Sequence, residues 1–212
     1  TYAIAIKEIR AIERIQVFSP TKANREKYAA EMTEQLDVEV VTMNSPEKAV
    51  LGSDIVAMTT DSLIPVIKPD WIEPGMHITN VRNNEAGPDV LARADVMARL
   101  GSSTFVLDTP LPGTIHGSDG MFSFCAGTEE EKRVVPIAPI REIDNPNIGT
   151  IPDLMAGRWS GRTDDRQITF LNNSGTQGLQ FAAVGSKAYE LSKAKGLGHP
   201  LPKEWFLQNI RD

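Results

Sequence analysis

RIQVFSPTKANREKYAAEMTEQLDVEVVTM, residues 14–43, decides the fold. It opens on a short apolar run rich in β-formers, Ile15 to Phe18, and closes on another, "VEVVTM". Between them Ser19 offers a cap and Pro20 a first-turn proline, and the chain then reads as helix to Leu36. A strand, a helix and a strand in so little chain form the unit that joins parallel strands by a right-handed crossover.

The rhythm extends both ways. Upstream, Ala5, Ile9 and Ile12 recur at helical spacing among charged residues, so the first fourteen residues read as an amphipathic helix. No Met and no capping residue stands before it, and the natural polypeptide is expected to extend further toward its N-terminus. Downstream, "NSPEKAVLGSD" repeats the Ser-Pro-Glu helix opening, and "IVAMTT", "HITNV" and "VMARLG" read as strands separated by the Pro-punctuated "KPDWIEPGM" and the short helix "AGPDVLARAD". Short helices between apolar strands imply a parallel sheet covered on both faces, so the expected class is doubly wound α/β. Past Gly101 the alternation stops. Residues 102–147 hold several prolines and glycines and the run "EEEKR", with "RVVPIAPI" strand-like and an extended hairpin conceivable. "IPDLMAGRWSGR" then reads as a helix ended by Gly157, "QITFLNN" as the last strand, and 175–195 as a long helix closed by a left-handed Gly196.

Composition excludes some partners. The formal net charge is −6 and the 22 Lys and Arg are scattered, which leaves no footprint for nucleic acid. No apolar run approaches the roughly 20 residues of a membrane span. Cys125 is alone and forms no internal disulfide, which fits a cytoplasmic protein. Three His and one Cys at these spacings support no metal site. His77, on an apolar strand, reads as a core histidine, whereas His116 lies in a Gly-rich loop.

In an open parallel sheet, ligands bind outside the carboxyl ends of the strands. That places the candidates at Ser19 to Lys22, Thr59 to Ser62, Val81 to Glu85 and Asn172 to Gly175, each a small polar group after an apolar run. Capping of the next helix explains any one of them equally simply. In such folds the turn holding Ser19, Thr21, Lys22 and Arg25 receives a dinucleotide's adenosine ribose. It carries hydroxyls and cations but no carboxylate, which leans toward NADP over NAD.

The ordered set "ERIQVFSPTKANREKYA", "GSDIVAMTTDSLIPVIKPDWIEPGMHITNV", "LARADV" and "DLMAGRWSGRTDDRQITFLNNSG" resembles the ornithine cyclodeaminase/mu-crystallin family over most of the chain except residues 102–147. The resemblance implies a Rossmann-type NAD(P)-binding domain over residues 1–174. It also implies a helix and tail over 175–212 that return toward a substrate and dimerisation domain, and a full-length homodimer acting on a small amino or imino acid. A first strand and Gly-rich phosphate loop would precede Thr1. By position, the resemblance gives Ser19 and Thr21 to the adenosine-ribose loop, Thr59, Thr60 and Ser62 to a polar turn, Asn80 and Val81 to the nicotinamide, and Asn173, Ser174 and Gly175 to the turn closing over it.

One departure bears on the chemistry. Where the cyclodeaminases place a proton-handling Asp, this sequence has Asn84, and an amide neither takes up nor releases a proton at accessible pH. Glu85 is the neighbouring candidate for that work, or else an anion favouring the start of the following helix. The resemblance with this change implies reduction of a small imino acid or ketimine, or oxidative deamination of an amino acid. Ornithine cyclisation through Glu85, and small-ligand binding without turnover, are the alternatives.

Overall fold

The computed structural model describes residues 2–62, 64–82, 85–100, 114–116, 123–125, 147–173 and 178–206. They form two compact units, Thr1–Gly175 and Thr176–Asp212. In the first, helix α1 (Tyr2–Lys7) leads to β1 (Arg14–Val17), α2 (Lys22–Leu36), β2 (Glu39–Thr42), α3 (Pro46–Val50) and β3 (Ile55–Met58). A 3-10 turn at Pro69–Trp71 precedes β4 (His77–Asn80), α4 (Pro88–Leu91) and β5 (Val96–Arg99). The described remainder of the unit is β6 (Thr114–His116), β7 (Ser123–Cys125), β8 (Ile148–Thr150), α5 (Ile151–Met155) and β9 (Thr169–Asn172).

The α/β class and parallel sheet expected from the sequence are present. Five strands in the order β3-β4-β9-β5-β8 are parallel at every junction, and β1 pairs with β2, also in parallel, as a separate two-stranded sheet. Gln16 of β1 reaches toward β3 by donating to Ser53 Oγ at 3.3 Å. A short antiparallel pair joins β6 to β7 in the stretch where a hairpin was conceivable. The strand-like "RVVPIAPI" lies outside the described residues.

Register explains the core. One cross-strand row, Val56, Ile78, Phe170, Met97 and Ile148, runs over all five strands on one face. Val50 from α3, Val90 from α4 and Ile67, Ile72 and Met76 from the connection between β3 and β4 join the same buried cluster. The neighbouring row on the other face is Ala57, Thr79, Leu171, Ala98 and Gly149. Trp159 packs on Gly149 so closely that a Cβ there would lie 2.1 Å from the ring.

Local expectations needed adjustment at three places, the first being His116, which the sequence places in a Gly-rich loop and which instead ends β6. The N-terminal helix is six residues long rather than fourteen; hydrogen bonds continue only to Arg10, and the β-branched Ile4, Ile6 and Ile9 weaken its propensity. Helix α2 starts after Thr21 and not after Ser19, whose carbonyl instead accepts from the Arg25 guanidinium at 2.8 Å. Ser45 and Gly157 behave as read. Ser45 accepts from the Lys48 amide, and Gly157 ends α5 at φ +67.

His77 and Thr169 are register partners, and the imidazole Nδ1 and Thr169 Oγ1 are 2.7 Å apart. Burial, and then the nearby Arg162 and Arg10 guanidiniums, hold the His77 pKa below its ordinary 6.5. The unfolded chain therefore binds a proton more readily, so this contribution to stability is complete above pH 6.5 and is lost as the pH falls below it. Thermal melts from pH 8 to 5 should show a shallower decline for His77→Gln than for the unaltered protein; parallel profiles would remove His77 as the cause.

In the second unit, helix α6 (Gly178–Ala194) ends in a Schellman motif. Leu197 N–H donates to Ser192 O, Gly196 N–H donates to Lys193 O, and Gly196 adopts φ +64. A 3-10 turn follows at Lys203–Trp205. Among the described residues no helix is long and apolar enough to cross a membrane.

Candidate functional site

Parallel register puts the carboxyl ends of β3, β4 and β9 side by side, with Met58, Asn80 and Asn172 as neighbours in the last row. The chain leaves this edge through Thr59 and Thr60 after β3, Val81 after β4 and Asn173 after β9. Thr59 and Thr60 are exposed, and Val81 keeps 40% of its surface open. Four of the expected site residues are thus brought onto one edge.

The order at this edge comes from two buried side chains. Glu85 is fully buried, at 0% exposure. Its Oε1 accepts from the Thr60 amide and, at 2.7 Å, from the Thr60 hydroxyl. Its Oε2 accepts from the amides of Val81 and Arg82, each at 2.8 Å. A carboxylate offers about four lone-pair directions, and protein donors take them all. Asn80, 1% exposed, donates to Arg82 O at 3.0 Å and accepts from the Asn173 amide at 3.1 Å. Its side chain therefore faces the protein, where the resemblance places it against a cofactor.

Other expected residues have local partners. Ser62 closes its own turn, donating to Ile64 O at 2.7 Å, while its amide donates to Thr60 Oγ1 at 3.2 Å. Asn173 donates through Nδ2 to the Tyr2 hydroxyl, which brings the start of α1 to the end of β9. In the turn after β1, the Thr21 carbonyl accepts from the amides of Asn24 and Arg25. Arg25 donates to Ser19 O at 2.8 Å and lies 5.9 Å from the Phe18 ring centre. Lys22 makes a 3.5 Å ion pair with Glu26 on the exposed face of α2. Asn84, Ser174 and Gly175 lie outside the described residues.

Sequence reasoning placed Arg82 within the Val81 to Glu85 candidates but gave it no role; its amide donates to Glu85 and its carbonyl accepts from Asn80. A signal existed for part of this. An Asn at a strand end is prone to bond backbone two residues on, and Asn80 does so with Arg82. Nothing local marks Glu85 as buried. Among the described residues no group of three His, Cys, Asp or Glu is placed to hold a metal.

A parallel five-stranded sheet wrapped by crossovers, with small polar groups gathered at the carboxyl ends of its central strands, defines a Rossmann-like α/β protein. Within that class the chain belongs to the ornithine cyclodeaminase/mu-crystallin family, whose family model matches residues 1–184. An alanine dehydrogenase of Archaeoglobus fulgidus is 24% identical over 194 residues, covering 90% of this chain and 54% of that protein. A ketimine reductase mu-crystallin of Macropus fuliginosus is 33% identical over 75 residues, 35% of this chain and 23% of that protein. Among solved structures, the Thermococcus litoralis Delta(1)-pyrroline-2-carboxylate reductase in complex with NADH and L-proline has a TM-score of 0.67. It is 24% identical and covers 94% of this chain and 56% of its own. The iminosuccinate reductase of Paracoccus denitrificans in complex with NAD+ has a TM-score of 0.64 at 17% identity, over 93% of this chain and 54% of its own. The chain spans about half the length of the Archaeoglobus relative and of both solved proteins.

Proposed function

We propose that the whole protein is an NAD(P)H-dependent reductase of a small imino acid or ketimine, running in reverse as oxidative deamination of an amino acid. One observation carries this reading: β3, β4 and β9 are adjacent and parallel, so Thr59, Thr60, Val81 and Asn173 stand on one edge. Family membership and relatives named as reductases and dehydrogenases support it. The donor set fits a nicotinamide nucleotide. Thr59, Thr60 and Ser62 supply hydroxyls and backbone, Val81 an exposed apolar surface for a ring, and Asn173 leads into the Ser174 and Gly175 that the family resemblance assigns to closing over it. A bound nicotinamide would supply the hydride for the carbon of a C=N bond.

The protein's share is then to bind and orient. Asn84 offers a hydrogen bond to the substrate nitrogen but moves no proton. Asn84 cannot titrate and Glu85 is saturated by its own donors, which counts against either residue as the proton carrier for ammonia release from ornithine. Imine reduction asks less, because water can protonate the nitrogen. The test is NADH or NADPH consumption by the whole protein with a panel of cyclic imines and of 2-keto acids with ammonia. Steady consumption is expected; ammonia from ornithine without net reduction would establish the cyclodeaminase, and binding without turnover would end the enzyme reading.

The residues 1–174 serve in this reading as the nucleotide-binding domain and 175–212 as a connection to substrate and dimer contacts. A cytoplasmic homodimer is the assembly we infer. The lone Cys125 suits a reducing compartment, and a structural relative is an alanine dehydrogenase dimer with bound NAD. NADP is preferred, on the hydroxyls and cations of the turn after β1. Lys22→Ala should raise the Kd of NADPH by about threefold to tenfold and leave that of NADH nearly unchanged. Equal effects on both nucleotides would argue against a 2′-phosphate at this turn.

A further inference from the structure

We propose that Glu85 is a positioning residue whose buried carboxylate locks the loop after β3 to the turn after β4, and so sets where a nicotinamide nucleotide meets the strand ends. This rests on the cofactor reading above. Glu85 was offered by sequence as a proton carrier or as a helix-start anion, and its geometry points to a third role. Oε1 holds the loop after β3 through both Thr60 donors, and Oε2 holds the turn after β4 through the Val81 and Arg82 amides.

The main chain of the same residue adds two ties. Its amide donates to Arg82 O at 3.1 Å, and its carbonyl accepts from Val66 N–H at 3.0 Å. One residue thereby fixes the loop after β3 at Thr60 and again at Val66. Asn80 carries the clasp to β9 through the Asn173 amide. Three strand ends hang on two buried side chains.

The role needs a carboxylate of this length. Glutamine in its place would turn an NH2 toward one of the two sets of donors, so one loop end loses its acceptor whichever way the amide faces. Aspartate is a methylene short. A group that only placed a positive helix end or carried protons would not show this pattern.

The experiment uses the whole protein with Glu85→Gln, and NADH as the probe. Hydrogen exchange at the Thr60 amide, or at those of Val81 and Arg82, should accelerate at least about tenfold while Ile78 and Phe170 keep their protection. The Kd of NADH by fluorescence titration should rise about tenfold, Glu85→Asp should recover part of the loss, and the pH–rate profile should keep its shape. Unchanged Kd with abolished kcat and a lost ionisation would instead identify a proton carrier and overturn the proposal. Unaltered protein that binds neither NADH nor NADPH overturns the cofactor reading and this inference with it. Binding by the unaltered protein and equally tight binding by Glu85→Gln overturns this inference alone. If Glu85→Gln does not fold, Thr60→Val decides: exchange at Val81 and Arg82, whose amides bind the other carboxylate oxygen, should still quicken, and no change there refutes the coupling.

Discussion

Phe170→Ala is expected to lower the free energy of unfolding by about 4 kcal/mol, near the middle of the range for emptying a large aromatic site. Phe170 is 1% exposed and occupies the centre of the row that crosses the sheet, between Ile78 on β4 and Met97 on β5. Both neighbours are themselves fully buried and fixed by ladder hydrogen bonds, so the site has little freedom to collapse after truncation. Denaturant titration should show a lower midpoint with an unchanged slope. Phe170→Leu should lose much less, since it keeps most of the volume.

Gly149→Ala should cost about 3 kcal/mol, an unusual result for adding one methyl group. The new Cβ would fall 2.1 Å from Trp159 Cδ2 and 2.3 Å from Cε3, so the indole must leave the sheet. It would also forfeit the 3.0 Å bond that Trp159 Nε1 donates to Asn147. The control is Gly157→Ala. No atom lies within 4 Å of a Cβ there, and the cost is the left-handed φ of +67 alone, about 1 kcal/mol. Tryptophan fluorescence should report Trp159 displaced by the first substitution and untouched by the second.

The sequence reveals what depends on near neighbours. Apolar runs punctuated by Ser-Pro, Gly and Pro disclosed β1 to β5 and β9, because each strand sets apolar β-formers between such breaks. It did not disclose β8, where Ile148 and Thr150 are too short a run and are split by Gly149, a glycine explained only by a tryptophan ten residues on. Nor did it reveal that β9 inserts between β4 and β5, since strand order is a matter of which edges are free after earlier pairs form. At the site, the residue types on the edge were legible, because ligand-facing turns must be small and polar. The inward roles of Asn80 and Glu85 were legible only in the local Asn80–Arg82 bond, because the Asn173 and Thr60 donors come from loops brought together by the sheet.

The seat of a nicotinamide nucleotide at the carboxyl ends of β3, β4 and β9 is tested most directly by amide NMR of the whole protein titrated with NADH. The account predicts that the amides of Thr59, Thr60, Val81 and Asn173 shift together along one saturation curve. Shifts confined to the opposite ends of the same strands, at Ile55, His77 and Thr169, would contradict it.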